Sequence, residues 1–230
     1  MGPKERAARR GLELVREGMV VGLGTGSTAA QFIALLGGQT RDGLEIIGIP
    51  TSVETERLAR EAGIPLGTLE EHPEVDLTLD GADEVDPALD LLKGLGGALV
   101  REKVVAAASR QFVVLVDDSK LVEELGTRAP LPVEVLPFGW KTTAQRLERL
   151  GLKVELRGGA AKPFRSDNGH FILDCRGPRG EALKGLAGLI EAAPGVVGHG
   201  LFLGMAHRVL AGTATGVQEL VRRPATSRAP

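Results

Sequence analysis

Val75-Asp76-Leu77-Thr78-Leu79-Asp80-Gly81-Ala82-Asp83-Glu84 runs from an apolar segment straight into a cluster of acids. Val75 to Leu79 has the short, bounded apolar character of a buried strand. The block continues through Lys93-Gly94-Leu95-Gly96-Gly97-Ala98 and closes on Arg101-Glu102-Lys103. Ala98 to Ser109 reads as a helix. Carboxylates and an ammonium gathered between a strand end and a helix start are the groups that proton transfer requires.

Working outward, the same rhythm repeats. Lys4 to Arg16 has helical character, Met19 to Leu23 is a short buried strand, and Ala29 to Leu36 is a helix. Leu44 to Ile49 is a strand stopped by Pro50, and Ser52 caps a helix reaching Ala62. Further strands are expected at Pro65 to Leu69 and Phe112 to Val116. Strands alternating with helices predict an α/β fold of Rossmann-like type, a mostly parallel sheet with helices on both faces. Ligands of such sheets bind beyond the carboxyl ends of the strands. Gly24-Thr25-Gly26, Asp80 and Asp117 all follow strands and should meet at one edge.

After Gly126 the pattern changes. Strands are expected at Val133 to Leu136, Leu152 to Leu156 and Phe171 to Cys175, with helices at Lys141 to Leu150 and Glu181 to Ala192. Val196 to Leu203 supplies strand-like pieces broken by Gly198 and Gly200. The order β-α-β-β-α-β predicts a ferredoxin-like α+β lid domain. The expected division is therefore a Rossmann-like catalytic domain at 1–127 and 201–221, a lid at 128–200 and a flexible tail at 222–230. Leu201 to Leu203 and Ala206 to Leu210 are expected to rejoin the first sheet.

Gly24-Thr25-Gly26-Ser27-Thr28 joins a strand to a helix, so its backbone N–H groups can cradle an anion, with Ser27 and Thr28 adding hydroxyls. It lacks the Gly-Lys-Ser/Thr of a Walker loop and the spacing of a dinucleotide fingerprint. A tight βα turn would look the same. Asp80 and Asp83 could equally form an Asx turn and a helix cap, or bind Mg²⁺. Hydrogen bonds to substrate hydroxyls suit them better, because Lys93 supplies counter-charge nearby. Glycines around Lys93 let a ligand lie against the backbone. A general base at Glu102 must be ionised and partly dry. The helix dipole and Lys93 favour ionisation and burial opposes it, a balance the sequence leaves open. Lys120, in Val116-Asp117-Asp118-Ser119-Lys120, could complete a phosphate site.

The whole chain narrows the choices. It has 230 residues, 43% apolar and 25% charged, with a net charge of −2. No basic footprint for nucleic acid is present. No apolar run is long enough to span a membrane, and the charged N-terminus is unlike a secretory signal. The single cysteine, Cys175, excludes an internal disulfide and fits a reducing cytoplasm. The four histidines are scattered without ligand spacing.

Gly-Thr-Gly-Ser-Thr at 24–28, Asp-Gly-Ala-Asp-Glu at 80–84, Lys-Gly-Leu-Gly-Gly-Ala-Leu-Val-Arg-Glu-Lys at 93–103 and Val-Asp-Asp-Ser-Lys at 116–120 together resemble the ribose-5-phosphate isomerase type A family. The likeness covers about residues 4–220, in the same order and with similar spacing. It implies interconversion of D-ribose 5-phosphate and D-ribulose 5-phosphate, in the non-oxidative pentose phosphate pathway, with no cofactor and no metal. By that resemblance Glu102 is the base between C2 and C1. Asp80, Asp83 and Lys93 handle the oxygen protons, and Lys93 stabilises the enediolate. Thr25, Gly26, Ser27, Thr28, Lys120 and Lys4 hold the phosphate. Gly81, Ala82, Gly94, Leu95 and Gly96 line the sugar. The resemblance also implies a homodimer or homotetramer whose only other partner is a small pentose phosphate.

Two other classes fit such a scaffold. A non-catalytic sugar-phosphate-binding regulator would need a helix-turn-helix, and the residues before Gly22 are too few for one. A sugar-phosphate deaminase would be expected to use a catalytic histidine. Fold analogy does not separate these; the 80–103 block does.

Overall fold

The structure, a computed structural model, describes residues 1–222. Helix α1 (Pro3–Leu12) precedes strand β1 (Val20–Leu23), helix α2 (Ser27–Arg41), strand β2 (Ile47–Pro50), helix α3 (Val53–Ala62) and strand β3 (Val75–Asp80). Short strands β4 (Glu84–Val85) and β5 (Leu91–Leu92) come next, then helix α4 (Leu99–Ala107) and strand β6 (Ser109–Asp117). The chain continues as β7 (Leu131–Val135), α5 (Trp140–Arg149), β8 (Lys153–Leu156), β9 (Phe171–Arg176), α6 (Gly180–Lys184), α7 (Ala187–Glu191) and β10 (Val196–His199). It ends in β11 (Leu201–Phe202), β12 (Arg208–Gly212) and β13 (Val217–Val221).

The main sheet has six strands in the order β13-β12-β6-β3-β1-β2, parallel throughout except for the β13 edge. Strand β6 shows why both faces are covered. Val113 and Leu115 pack with Phe32, Ile33 and Leu36 of α2, while Phe112, Val114 and Val116 pack with Ala106 of α4 and Phe202. Every second side chain thus enters a different core. Helices α1 to α3 cover one face. The other is covered by α4 together with a three-stranded sheet, β11-β5-β4, which the sequence pattern did not anticipate. The sheet winds outward from β1 to β2 and then from β3 to β6, so β1 and β3 flank the switch point. The Gly24 loop and Asp80 both leave the sheet there.

Residues 131–199 form the expected β-α-β-β-α-β unit, an antiparallel four-stranded sheet in the order β10-β7-β9-β8. Its core is separate, built on Val133, Leu147, Leu173 and Ile190. Both ends of the unit meet at Gly200. The Gly200 N–H donates to Pro132 O at 2.8 Å, and its carbonyl accepts from Lys93 N at 2.8 Å. A Cβ on Gly200 would overlap the Lys93 carbonyl.

Several expectations need correcting. Pro65 to Leu69 contributes a single bridge, Gly48 to Leu66, and no strand. Leu201 and Phe202 pair with β5 in the small sheet, next to the Gly200 contacts, so of the two stretches expected to rejoin the main sheet only the second does, as β12. The helix expected over Glu181 to Ala192 breaks at Gly185 into α6 and α7. Val217–Val221 forms an antiparallel edge strand. The flexible tail expected from 222 starts with an anchored residue. Arg222 N donates to His207 O, and its guanidinium to Ala206 O and Leu89 O. The remainder, 223–230, lies outside the described residues. No helix among the described residues is long and apolar enough to cross a membrane.

Glu84, wholly buried, shows how the acidic block serves the fold. Its carboxylate accepts from the backbone N–H groups of Gly126, Arg128 and Ala129 at 2.6, 2.5 and 2.7 Å. It thereby fixes the segment entering the four-stranded unit. Glu84→Ala leaves buried donors unpaired and should cost roughly 2–4 kcal/mol of stability, read from urea unfolding.

Candidate active site

Lys93 is the centre of the constellation. It follows β5, and its side chain is only 2% exposed. Its Nζ lies 3.0 Å from Asp80 Oδ2 and 3.6 Å from Glu102 Oε1, and it donates to the Gly81 carbonyl. Its Nζ lies over the ring of Phe202, 5.6 Å from the centroid. Burial pulls the ammonium's pKa down, but Asp80 and Glu102 outweigh it and hold the pKa above the usual lysine value.

Asp80, at the end of β3, is wholly buried. Its Oδ1 accepts from Thr25 N at 2.9 Å and Gly81 N at 2.7 Å, so one carboxylate orients both loops at the switch point. Gly24 makes this possible, since a Cβ there would overlap Asp80 itself. Asp83 reaches the other way, where its Oδ2 accepts from Leu95 N at 3.0 Å.

Glu102 sits in the first turn of α4 at 4% exposure. Its Oε2 is buried without a hydrogen-bond partner, which leaves one oxygen free to take a proton. In the balance left open by the sequence, burial is the largest contribution. Desolvation pushes the carboxyl up to about 8, Lys93 opposes, and Asp80 and Asp83 add to the rise.

Opposite these groups lies the start of α2. The helix has no side-chain cap and no acid in its first turn, so its leading N–H groups face outward unpartnered by side chains. Gly26 takes φ 108°, a left-handed value that suits glycine, and no atom stands near its missing Cβ. Lys4 Nζ donates to Ser27 Oγ at 2.8 Å, bringing a cation from α1 to this end. The α2 dipole, Lys4 and Lys120 make this end attractive to an anion.

A cleft of about 130 Å³ joins the two ends. Its anion end is walled by Lys4, Thr25, Gly26, Ser27, Thr28 and Lys120. Gly81, Ala82, Asp83, Lys93, Gly94, Leu95, Gly96 and Glu102 wall the other. Of the residues expected from sequence, Asp80 alone is outside the wall; it stands behind Lys93. Thr25 contributes its backbone and methyl, because its hydroxyl is engaged with those of Thr51, Ser52 and Thr55 at 2.8, 2.9 and 3.1 Å. That hydroxyl cluster was missed, although Ser52 was visible as the α3 cap. Val116 completes the wall and gave no signal beyond its strand. Among the described residues, no group of three or more His, Cys, Asp or Glu side chains is placed to hold a metal ion.

The fold and cleft define a Rossmann-like α/β protein in which buried acids and an ammonium face an uncapped helix start. The family model of ribose 5-phosphate isomerase A (phosphoriboisomerase A) matches residues 47–216. Ribose-5-phosphate isomerase A of Gloeobacter violaceus is 55% identical, covering 94% of this chain and 95% of its own. That of Thermomicrobium roseum is 51% identical, covering 95% and 93%. The chain belongs to the ribose-5-phosphate isomerase A family. Among solved structures, the Methanocaldococcus jannaschii ribose 5-phosphate isomerase A superposes with a TM-score of 0.89 at 43% identity, covering 95% of this chain and 97% of that one. A D-ribose-5-phosphate isomerase in complex with phospho-erythronic acid superposes with a TM-score of 0.91 at 41% identity, with the same coverage.

Replacing the ammonium tests the electrostatic balance. Lys93→Met removes the group that opposes the rise at Glu102, so the acidic limb of kcat/KM should move to higher pH. Stability carries the opposite sign. Between the unperturbed 4.5 and about 8, folded Glu102 keeps a proton that the unfolded chain releases, so its contribution falls as pH rises through that window. Glu102→Gln should flatten that part of the stability–pH curve, measured by thermal unfolding.

Proposed function

We propose that this protein interconverts D-ribose 5-phosphate and D-ribulose 5-phosphate through an enediolate, without a cofactor. The carrying observation is the Lys93–Glu102 pair: a dry carboxyl group with one oxygen free of hydrogen bonds beside an ammonium, in a cleft that ends at an uncapped helix start. A proton next to a carbonyl is weakly acidic, so its removal needs a base and a stabiliser for the developing oxyanion. In its ionised form Glu102 takes the proton from C2 and returns it to C1. Lys93 faces the enediolate oxygens. Asp83, on the cleft wall, handles hydroxyl protons and opening of the furanose ring. Asp80, behind Lys93, sets the ammonium and the Thr25 and Gly81 amides in place.

The first turn of α2 holds the phosphate, with Lys4, Ser27, Thr28 and Lys120. Phospho-erythronic acid, bound by the relative above, pairs a phosphate with a carboxylate. The rival deaminase reading is weakened because His72, His170, His199 and His207 are all outside the wall.

In the same reading, 1–127 and 201–221 form the catalytic domain and 128–200 the lid. The expected assembly is a homodimer or homotetramer, and the cytoplasm is the expected compartment. Cys175 suits that setting, since burial pushes its thiol up to about 12 and keeps it unreactive. Sedimentation of the purified chain should give two or four copies; a monomer removes the assembly from the proposal.

In D₂O, ribose 5-phosphate should yield ketose with deuterium entering at carbon. Glu102→Gln should lose roughly 10²–10⁴-fold in kcat while still binding inorganic phosphate. Full activity in Glu102→Gln would remove Glu102 as the base.

A further inference from the structure

Arg157 lies just after β8, on the four-stranded unit, outside every motif of the catalytic block. Its side chain is 15% exposed. On one edge of the guanidinium, Nε and Nη2 meet Asp174 Oδ2 and Oδ1 at 2.9 and 2.5 Å, a bidentate pair. On the other, Nη1 donates to Gly94 O at 3.3 Å and Leu95 O at 2.9 Å. Its Cζ lies over the Phe164 ring, 5.5 Å from the centroid, and Phe164 fills the space where Gly97 lacks a Cβ.

The two carbonyls belong to the loop that joins Lys93 to the helix of Glu102. The Gly94–Leu95 peptide accepts from Arg157 at its oxygen and donates from its nitrogen to Asp83 Oδ2. A guanidinium, a peptide and a carboxylate therefore stand in series. The Leu95–Gly96 peptide is likewise held at its oxygen, and its nitrogen belongs to Gly96, on the cleft wall. Hydrogen bonding at a carbonyl strengthens the donor at the other end of the same peptide. Otherwise the loop has one internal backbone bond, Gly97 N to Gly94 O, and it turns at Gly94 with φ 104°. A loop so lightly tied needs an outside clamp to keep a fixed shape.

We infer that Arg157 is a positioning residue for the isomerisation: anchored by Asp174, it holds the Gly94–Gly97 loop so that Asp83, the Gly96 amide and the start of α4 face the reacting carbons. This deepens the proposed function and rests on its assignment of Asp83 and Glu102. Arginine is needed because lysine cannot span the carboxylate and two carbonyls in one plane.

The test measures kcat, KM, the inhibition constant of inorganic phosphate and the unfolding temperature for Arg157→Ala, Arg157→Lys and Asp174→Asn. Arg157→Ala should lower kcat roughly 10–100-fold, because small misplacements of reacting groups cost that much. Phosphate inhibition should stay within about twofold, since the α2 end is untouched. Arg157→Lys should not recover the loss, whereas millimolar guanidinium should restore part of it in Arg157→Ala, saturably. Asp174→Asn, which keeps the cation but frees it, should fall between. If Arg157→Ala fails to fold, Arg157→Lys and Asp174→Asn decide alone. Wild-type kcat in the folded variants, or a loss equal to the unfolded fraction, overturns the inference. Glu102→Gln run alongside separates the outcomes. Activity there overturns the assignment of the base, while an inactive Glu102→Gln beside fully active Arg157 variants overturns only the role of Arg157.

Discussion

An ammonium removed from water is the constraint around which the site is built. Burying Lys93 is unfavourable unless opposite charge and acceptors surround it, and Asp80, Glu102 and the Gly81 carbonyl supply them. Asp80 is itself buried, so it needs donors of its own, which come from Thr25 N and Gly81 N. Those bonds fix the two loops at the switch point and require the bare backbone of Gly24. The need to satisfy one cation thus propagates through one carboxylate into the shape of the loop that opens α2.

The same arrangement divides the three acids by environment. Glu102 is held against desolvation with one oxygen free, Asp80 spends its oxygens on the backbone and Lys93, and Asp83 lies on the wall with partial access to solvent. Three carboxyl groups within one short stretch of sequence therefore have different chemistry because their surroundings differ.

Much of this was legible in the sequence because period and punctuation carry it. The strand ends before Gly24, Asp80 and Asp117 predicted one edge, and the acid–glycine–lysine block named most of the wall. Two kinds of feature were hidden. Strands of two residues, such as Leu91–Leu92 and Leu201–Phe202, are too short to show a period. Long-range polar partners were hidden for another reason: Arg157 to Leu95, Glu84 to Ala129 and Thr25 to Thr55 leave no spacing signal, because the tertiary fold alone brings them together. The charge state of Glu102 was hidden too, since it depends on how completely α4 is covered.

Gly200 joins the two ends of the four-stranded unit to the backbone of Lys93. The same unit also holds Gly94 O and Leu95 O through Arg157, so it grips three consecutive residues, one by its backbone and two by a side chain. No hinge residue separates these anchors. Whatever displaces the four-stranded unit therefore displaces Lys93 and the 94–95 peptides together, and their mutual spacing is kept.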